Sequence, residues 1–283
     1  MTTTSVTKTV PEPGLLLRLA GPLQSWGEHS HFNERDTAAF PTRSGVIGLL
    51  AAALGRRRGE PLDDLTQLSL TVRVDRPGVL LRDLHTVGGG LPSKATVTTA
   101  EGKKRSGDTG TLLTHRAYLA DAAFTLALTA GPGDEDLLAR LAAALDSPRW
   151  PLFLGRRSCP PEGPFLLGTA EDALHHLVHL PLATDRTHGA DTAVVFHSDR
   201  PLDRLPMPYG ATDPDAEDGK HPSGKVNDEP LSFHPRHRSY RTRPLYRRTL
   251  HLPDVHRALG TEHLTALGAY AHENLNRPEG SRR

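Results

Sequence analysis

Leu15-Leu16-Leu17-Arg18-Leu19-Ala20-Gly21-Pro22-Leu23-Gln24-Ser25-Trp26-Gly27, followed after a short interval by Phe40-Pro41-Thr42-Arg43-Ser44-Gly45-Val46-Ile47-Gly48-Leu49-Leu50, is the stretch on which the fold turns. Residues 15–19 form a short apolar run with Arg18 inside it, the pattern of a buried strand. Gly21, Pro22 and Gly27 then make a strand exit rich in turn formers. Thr42 is a fair N-cap and Gly55 a good stop, so a helix is expected between them. Val46, Ile47, Leu50 and Leu54 share one face at helical spacing and should pack on a sheet. Gly45, Gly48 and Ala52 leave a small-residue side that a neighbour can approach closely.

Working outward, residues 68–74 and 79–81 read as strands joined by a turn at Asp75-Arg76-Pro77-Gly78. Residues 122–128 alternate Phe124, Leu126 and Leu128 with Thr125 and Ala127, a further strand. An amphipathic helix follows over 134–145, with Leu137, Leu138, Leu141 and Leu145 on one face and acids in its first turn. Residues 165–167 supply another strand. Strand, helix, strand, strand, helix, strand is the order of a split βαβ unit, so the fold class expected is α+β, ferredoxin-like, the architecture of RRM-type RNA binders. Between 86 and 111 the chain is polar and glycine-rich, with little to bury, and reads as a long protruding loop or hairpin. Beyond about 182 the character changes to a less regular, β-rich region, 183–283. It holds a strand at 193–196, an acidic mobile loop over 211–230, a basic stretch over 231–250 and a closing helix within 255–275.

Composition narrows the class. Gly 26 and Pro 24 are high, which implies much loop. A formal net charge of +1 excludes no partner, because the basic residues are clustered. One cysteine, Cys159, cannot form a bridge within the chain, so a reducing, cytoplasmic setting is expected. No run approaches the ~20 apolar residues of a membrane span, so no membrane partner is expected. Residues 1–14 read as a disordered leader rather than a signal peptide, with Pro11 and Pro13 delaying the first strand.

Several motifs carry chemistry. The helix start at 41–45 offers free N–H groups, two hydroxyls and Arg43, which suits a phosphate, although the pattern alone fits an ordinary capped helix as well. Gly88 to Lys94 fails the phosphate-loop spacing, since Ser93 stands where the second glycine belongs and Ala95 follows the lysine. His175, His176 and His179 match no metal-ligand spacing, and Glu171 and Asp172 before them suit a helix dipole. Cys159, beside Arg156 and Arg157, reads as a packed cysteine. Arg236 to Arg248 holds six arginines, no acid, and Tyr240 and Tyr246. That is the character of a nucleic-acid surface, or of a basic strand neutralised by the acidic loop before it.

Three strings taken together resemble one family: residues 16–27, residues 40–50, and Phe153-Leu154-Gly155-Arg156-Arg157-Ser158-Cys159-Pro160. They are similar to the CasD subunits of the RAMP superfamily, found in the type I-E CRISPR Cascade surveillance complex. Asp83 to Val87 and Arg116 to Asp121 also fit, and the resemblance covers about 15–168. It implies a ferredoxin-like RAMP domain over 15–182 with a thumb-like hairpin at about 85–115. Its implied role is to cap the 5′ handle of the CRISPR RNA and link the backbone and large subunits, with target DNA reached through the assembled complex. It implies no catalysis, no cofactor and no metal. The RNA-binding residues expected are Gln24, Trp26, Arg43, Ser44, His85, Lys94, Arg116, Phe153, Arg156 and Arg157. One departure is Phe153, where the resemblance leads us to expect an aromatic hydroxyl. The alternative is a metal-independent endoribonuclease processing precursor CRISPR RNA, its acid, base and charge stabiliser drawn from His85, His115, Tyr118 and Lys94.

Overall fold

The computed structural model describes residues 10–277 except 29, 32, 89–91, 97, 99–102, 105–110, 185–192, 215–216, 218 and 254. In chain order the elements are β1 (Gly14–Ala20), β2 (Leu23–Gln24), β3 (Ser30–His31), β4 (Glu34–Arg35), α1 (Arg43–Ala53), β5 (Ser69–Arg76) and β6 (Val79–Val87). Then come β7 (Leu112–Ala120), β8 (Ala123–Thr129), α2 (Glu135–Asp146), β9 (Leu166–Ala170) and α3 (Ala173–His179). The last are β10 (Ala193–Ser198), β11 (Gly224–Ser232), β12 (Ser239–His251) and α4 (Gly260–Asn274).

The main sheet runs β11-β12-β10-β5-β8-β1-β9. All its pairings are antiparallel. Among β1, β5, β8 and β9, the spatial order is fourth, first, third, second. α1 carries the chain from β1 to β5 past the intervening β8, and α2 carries it from β8 to β9 past β1. The C-terminal strands join the same sheet through β10, which pairs with β5.

Consecutive leucines in β1 are explained by helices on both faces of the sheet. Leu15, Leu17 and Leu19 share a core with Val46, Ile47 and Leu50 of α1 and with Leu138 and Leu141 of α2. Leu16 points the other way, into a second core with Leu177 of α3, Phe196 of β10, Leu250 of β12 and Leu267 of α4. A strand with both faces covered must bury every side chain, so leucine follows leucine, and Arg18, the polar side chain of β1, donates to the Glu162 carbonyl. The consequence bears on function: an RRM-type sheet keeps one face open for bases, whereas α3 and α4 cover that face here. Arg73, wholly buried in β5, holds α3 in place by donating to the carbonyls of Leu177, Leu180 and Pro181 (2.7, 2.6 and 3.0 Å). These are acceptors that a helix end leaves open. Asp172 caps the other end, accepting from the His175 N–H.

A second sheet runs β2-β7-β4-β3, and β6 pairs along the whole of β7. The β6–β7 ribbon is longer than the sequence suggests, because strand continues through residues 82–87, four of which are polar. Most of the expected thumb between 88 and 111 lies outside the described residues, although Thr98 pairs with Lys104. The loop expected at 211–230 requires correction. Its end is β11, and Asp228 is 2 % exposed because cationic partners neutralise it in the interior. No described helix is long and apolar enough to cross a membrane.

Candidate nucleic-acid interface

The loop 153–159 is a tight turn closed on itself. The Leu154 N–H donates to the Cys159 carbonyl (2.7 Å), and the Cys159 N–H donates back to the Arg156 carbonyl (2.9 Å). The loop is pinned to the exit of β1 by the Ser25 N–H donating to the Leu154 carbonyl at 3.0 Å. Gly155 has φ +88, and a Cβ there would lie 1.7 Å from the Ser25 carbonyl oxygen, so only glycine allows the approach. Cys159 is buried beneath the turn, and burial pushes its thiol pKa up, away from the reactive range.

This turn forms one bank of a groove that crosses the N-terminal end of α1. Thr42 caps the helix by accepting from the Gly45 N–H. Gly45 lets the first turn sit on the Trp26 ring, and Phe233 packs over Gly48. Two depressions, of about 250 and 460 Å³, share Ser44, Gly45, Gly155, Phe233 and Tyr240 as common walls. Among the described residues, five arginines (56, 57, 58, 157 and 238) line the larger one against a single carboxylate, Glu60. Trp150, Phe153, Phe233 and Tyr240 supply its aromatic surface. Arg56 is engaged with Asp64, whose carboxyl it holds below the usual range, while Arg57, Arg58, Arg157 and Arg238 are exposed.

Of the ten residues expected from sequence, Trp26, Ser44, Phe153, Arg156 and Arg157 converge on this groove. Trp26 is only 1 % exposed, and its indole N–H donates to Gln24 Oε1 at 3.0 Å. Gln24 is fully buried and donates to the carbonyls of Leu19 and Ala122 (3.1 and 2.8 Å). Gln24 is therefore a core link between β1 and the turn that leads into β8, closed to RNA. Arg156 lies 4.7 Å over the Tyr118 ring and donates to the carbonyls of Ala117, Arg35 and Asp36, each at 3.1 Å. Its guanidinium rivets the loop to β4 and β7. Arg116 lies on the Tyr118 face of β7, with Nε 3.4 Å from Thr114 Oγ1.

Arg43 is a correction. It is buried, and its guanidinium meets Asp199 and Glu229 (2.5 Å to the latter) and donates to the carbonyls of Thr66 and Leu68 (2.7 and 2.8 Å). Its backbone N–H donates to Asp228 Oδ2 at 2.7 Å, and Arg243 grips the same carboxylate at 2.6 and 3.0 Å. The anion that sequence reasoning sought at this helix start is thus Asp228 of the chain itself. His197 of β10 stacks on Phe40 at 4.1 Å. Burial first, then Arg247 and Arg243, press its pKa down to about 4.

His85 and Lys94 lie away from the groove, on the ribbon and just beyond it. His85 Nδ1 sits 2.7 Å from Asp83, and Lys94 is exposed. The nuclease constellation does not assemble here. His85 opposes Thr114 and His115 opposes Leu84, so adjacent register positions put the two imidazoles on opposite faces of the ribbon. His115 meets Glu34 at 2.8 Å, and Tyr118 is buried beneath Arg156. Among the described residues, no group of three or more His, Cys, Asp or Glu could hold a metal ion.

Sequence reasoning missed Arg57, Arg58 and Trp150 as groove residues, and it left Arg238 and Tyr240 between two readings. The signal for the first two was present: a triple arginine directly after the helix-stopping Gly55.

The family described as CRISPR-associated protein (Cas5) matches residues 14–246. The CRISPR system Cascade subunit CasD of Escherichia coli (strain K12) is 40% identical over 168 residues, which is 56% of this chain and 71% of that protein. A chain solved as part of a CRISPR RNA-guided surveillance complex superposes with a TM-score of 0.74 at 41% identity, covering 92% of this chain and 99% of its own. A second, solved as a crystal structure of a Cas protein, gives a TM-score of 0.57 at 31% identity, covering 88% and 100%.

Proposed function

The chain belongs to the Cas5 family of CRISPR-associated proteins, and we propose that it is a non-catalytic, RNA-gripping subunit of a Cascade-type complex that holds the 5′ handle of the CRISPR RNA. The observation that carries this reading is the groove over the start of α1, where exposed guanidinium groups outnumber carboxylates and alternate with aromatic faces. Single-stranded RNA needs that combination, since arginines take the phosphates and rings take the splayed bases. Arg157, Ser44 and Phe153 are the expected residues best suited to touch RNA, while Trp26 and Arg156 hold the walls in position.

The order of β9, β1, β8 and β5 supports a ferredoxin-like RAMP domain over 15–182, with the β6–β7 ribbon as the base of its thumb. His85, Lys94 and Arg116 would then meet RNA on that thumb. Leu80, Leu84 and Leu113 are exposed on one face of the ribbon, a concentration that suits contact with a neighbouring subunit.

The test is a titration of the purified chain with labelled repeat RNA in the absence of divalent metal. The expected result is binding without cleavage that weakens steeply as salt rises. No binding at low salt would overturn the RNA role. Site-specific cleavage lost in His85→Ala or His115→Ala would overturn the non-catalytic one.

A further inference from the structure

We propose that the β11–β12 turn and the start of β12 are the second wall of the groove, with Tyr240 as the platform for one unstacked RNA base and Arg238 as a contact for the adjoining phosphate. This rests on the RNA-binding reading above and extends it to a segment whose arginines the sequence left unassigned.

Four observations lead there. Phe233 and Tyr240 line both depressions together with Gly155, and Arg157 lines the larger one with them, so the hairpin and the loop 153–159 border the same groove. Tyr240 is 37 % exposed, a surface ring with a face to offer. Phe233, by contrast, is half-buried against Gly48 and forms a fixed floor. The wall is also anchored. Asp228 of β11 binds Arg243 of β12 and the N–H of Arg43, while Glu229 meets the Arg43 guanidinium, so the hairpin is tied to the start of α1. Groove width is therefore set before any ligand arrives, which lowers the ordering cost of binding.

Four of the six arginines of this stretch show the division. Arg243 and Arg248 are buried, and they pair with Asp228 and Asp213. Arg238 faces the groove, and Arg241 is exposed outside it. A volume of about 460 Å³ falls within the ~300–1,000 Å³ of sites that enclose small ligands, room for one nucleotide but not for a duplex. An acidic peptide would satisfy the arginines alone. Tyr240 and Phe233 interleaved with them favour a base, because every base offers a π-face to stack.

The experiment uses the full chain and single-stranded repeat RNA carrying 2-aminopurine at each position in turn. At one position, binding should quench fluorescence by stacking. Tyr240→Ala should abolish that quench and weaken binding about tenfold, whereas Tyr240→Phe should retain both. Arg238→Ala should flatten the log affinity against log salt slope by about 0.7. Arg241→Ala should leave quench and affinity unchanged. Wild-type binding that is indifferent to Tyr240→Ala and Arg238→Ala would overturn this inference and leave the RNA reading standing. Failure of the wild-type chain to bind the RNA would overturn both. A polyglutamate peptide bound as tightly as RNA, with the same loss in Tyr240→Ala, would assign the wall to a protein partner and overturn the inference.

Discussion

Around the start of α1, two arginine-rich regions lie side by side. Arg43 and Arg243 are buried among Asp199, Asp228 and Glu229, with 2.5 Å from Arg43 to Glu229 and 2.6 Å from Arg243 to Asp228. Around the groove, Arg57, Arg58, Arg157 and Arg238 are exposed, and Glu60 is the one carboxylate among the described residues that line its larger depression. The residue type is the same, yet the first set welds the C-terminal hairpin to the helix while the second leaves positive charge for a ligand. Matched acids and burial make an arginine part of the scaffold, and unmatched exposure makes it available.

The sharpest way to break this contrast is to remove an acid from the buried set. Asp228→Ala leaves Arg243 without its bidentate partner and Arg43 without its N–H acceptor. Chemical denaturation should show a loss of about 3–5 kcal/mol, as for one-sided disruption of a buried pair. A loss under about 1 kcal/mol would mean that the network is not holding the hairpin.

Acid should act on the same region through His197. Its folded pKa of about 4 lies below the unfolded value of about 6.5. Above about pH 6.5 both states are neutral there and stability is indifferent to this group. Between about 6.5 and 4 the unfolded chain binds the proton and the folded chain does not, so stability falls by roughly 3 kcal/mol in total as pH drops. His263, also pressed down to about 4 by burial, acts in the same direction. His197→Phe keeps a ring on Phe40 and should make the decline in denaturation midpoint over this window distinctly shallower. An unchanged decline would contradict the assignment.

The exposed set should respond in the opposite manner. Arg57→Ala with Arg157→Ala should leave stability within about 0.5 kcal/mol, since neither side chain is buried. RNA affinity at low salt should nevertheless fall about tenfold or more, read by filter binding. Smallest of all, Arg241→Ala should shift neither quantity measurably. If Arg241→Ala weakened RNA binding as much as Arg157→Ala, the charge would be acting diffusely and not through the groove.

Much of the scaffold could be read in the sequence because its signals are local. Thr42, the apolar face of α1 and Gly55 marked the first helix to within two residues, and the four strands followed from short apolar runs. What escaped depends on distance along the chain. Arg43 resembled a phosphate ligand because its partners, at 199, 228 and 229, are more than 150 residues away. Asp228 and Glu229 resembled loop acids for the same reason. β6 was read short because half of it is polar, which is what a ribbon with exposed faces permits. The groove was half legible: Phe153, Arg156 and Arg157 came from a recognisable string, whereas its other wall exists only once the β11–β12 hairpin folds back against α1.

The central claim is that exposed groove arginines hold single-stranded guide RNA. The most direct measurement is the affinity of the full chain for repeat-derived RNA as a function of salt, in the wild type and in the quadruple variant with Arg57, Arg58, Arg157 and Arg238 each changed to Ala. If each guanidinium meets one phosphate, the log–log slope should lose about 2.8 of its steepness in the variant, with folding intact. Equal slopes for the two proteins would contradict the account.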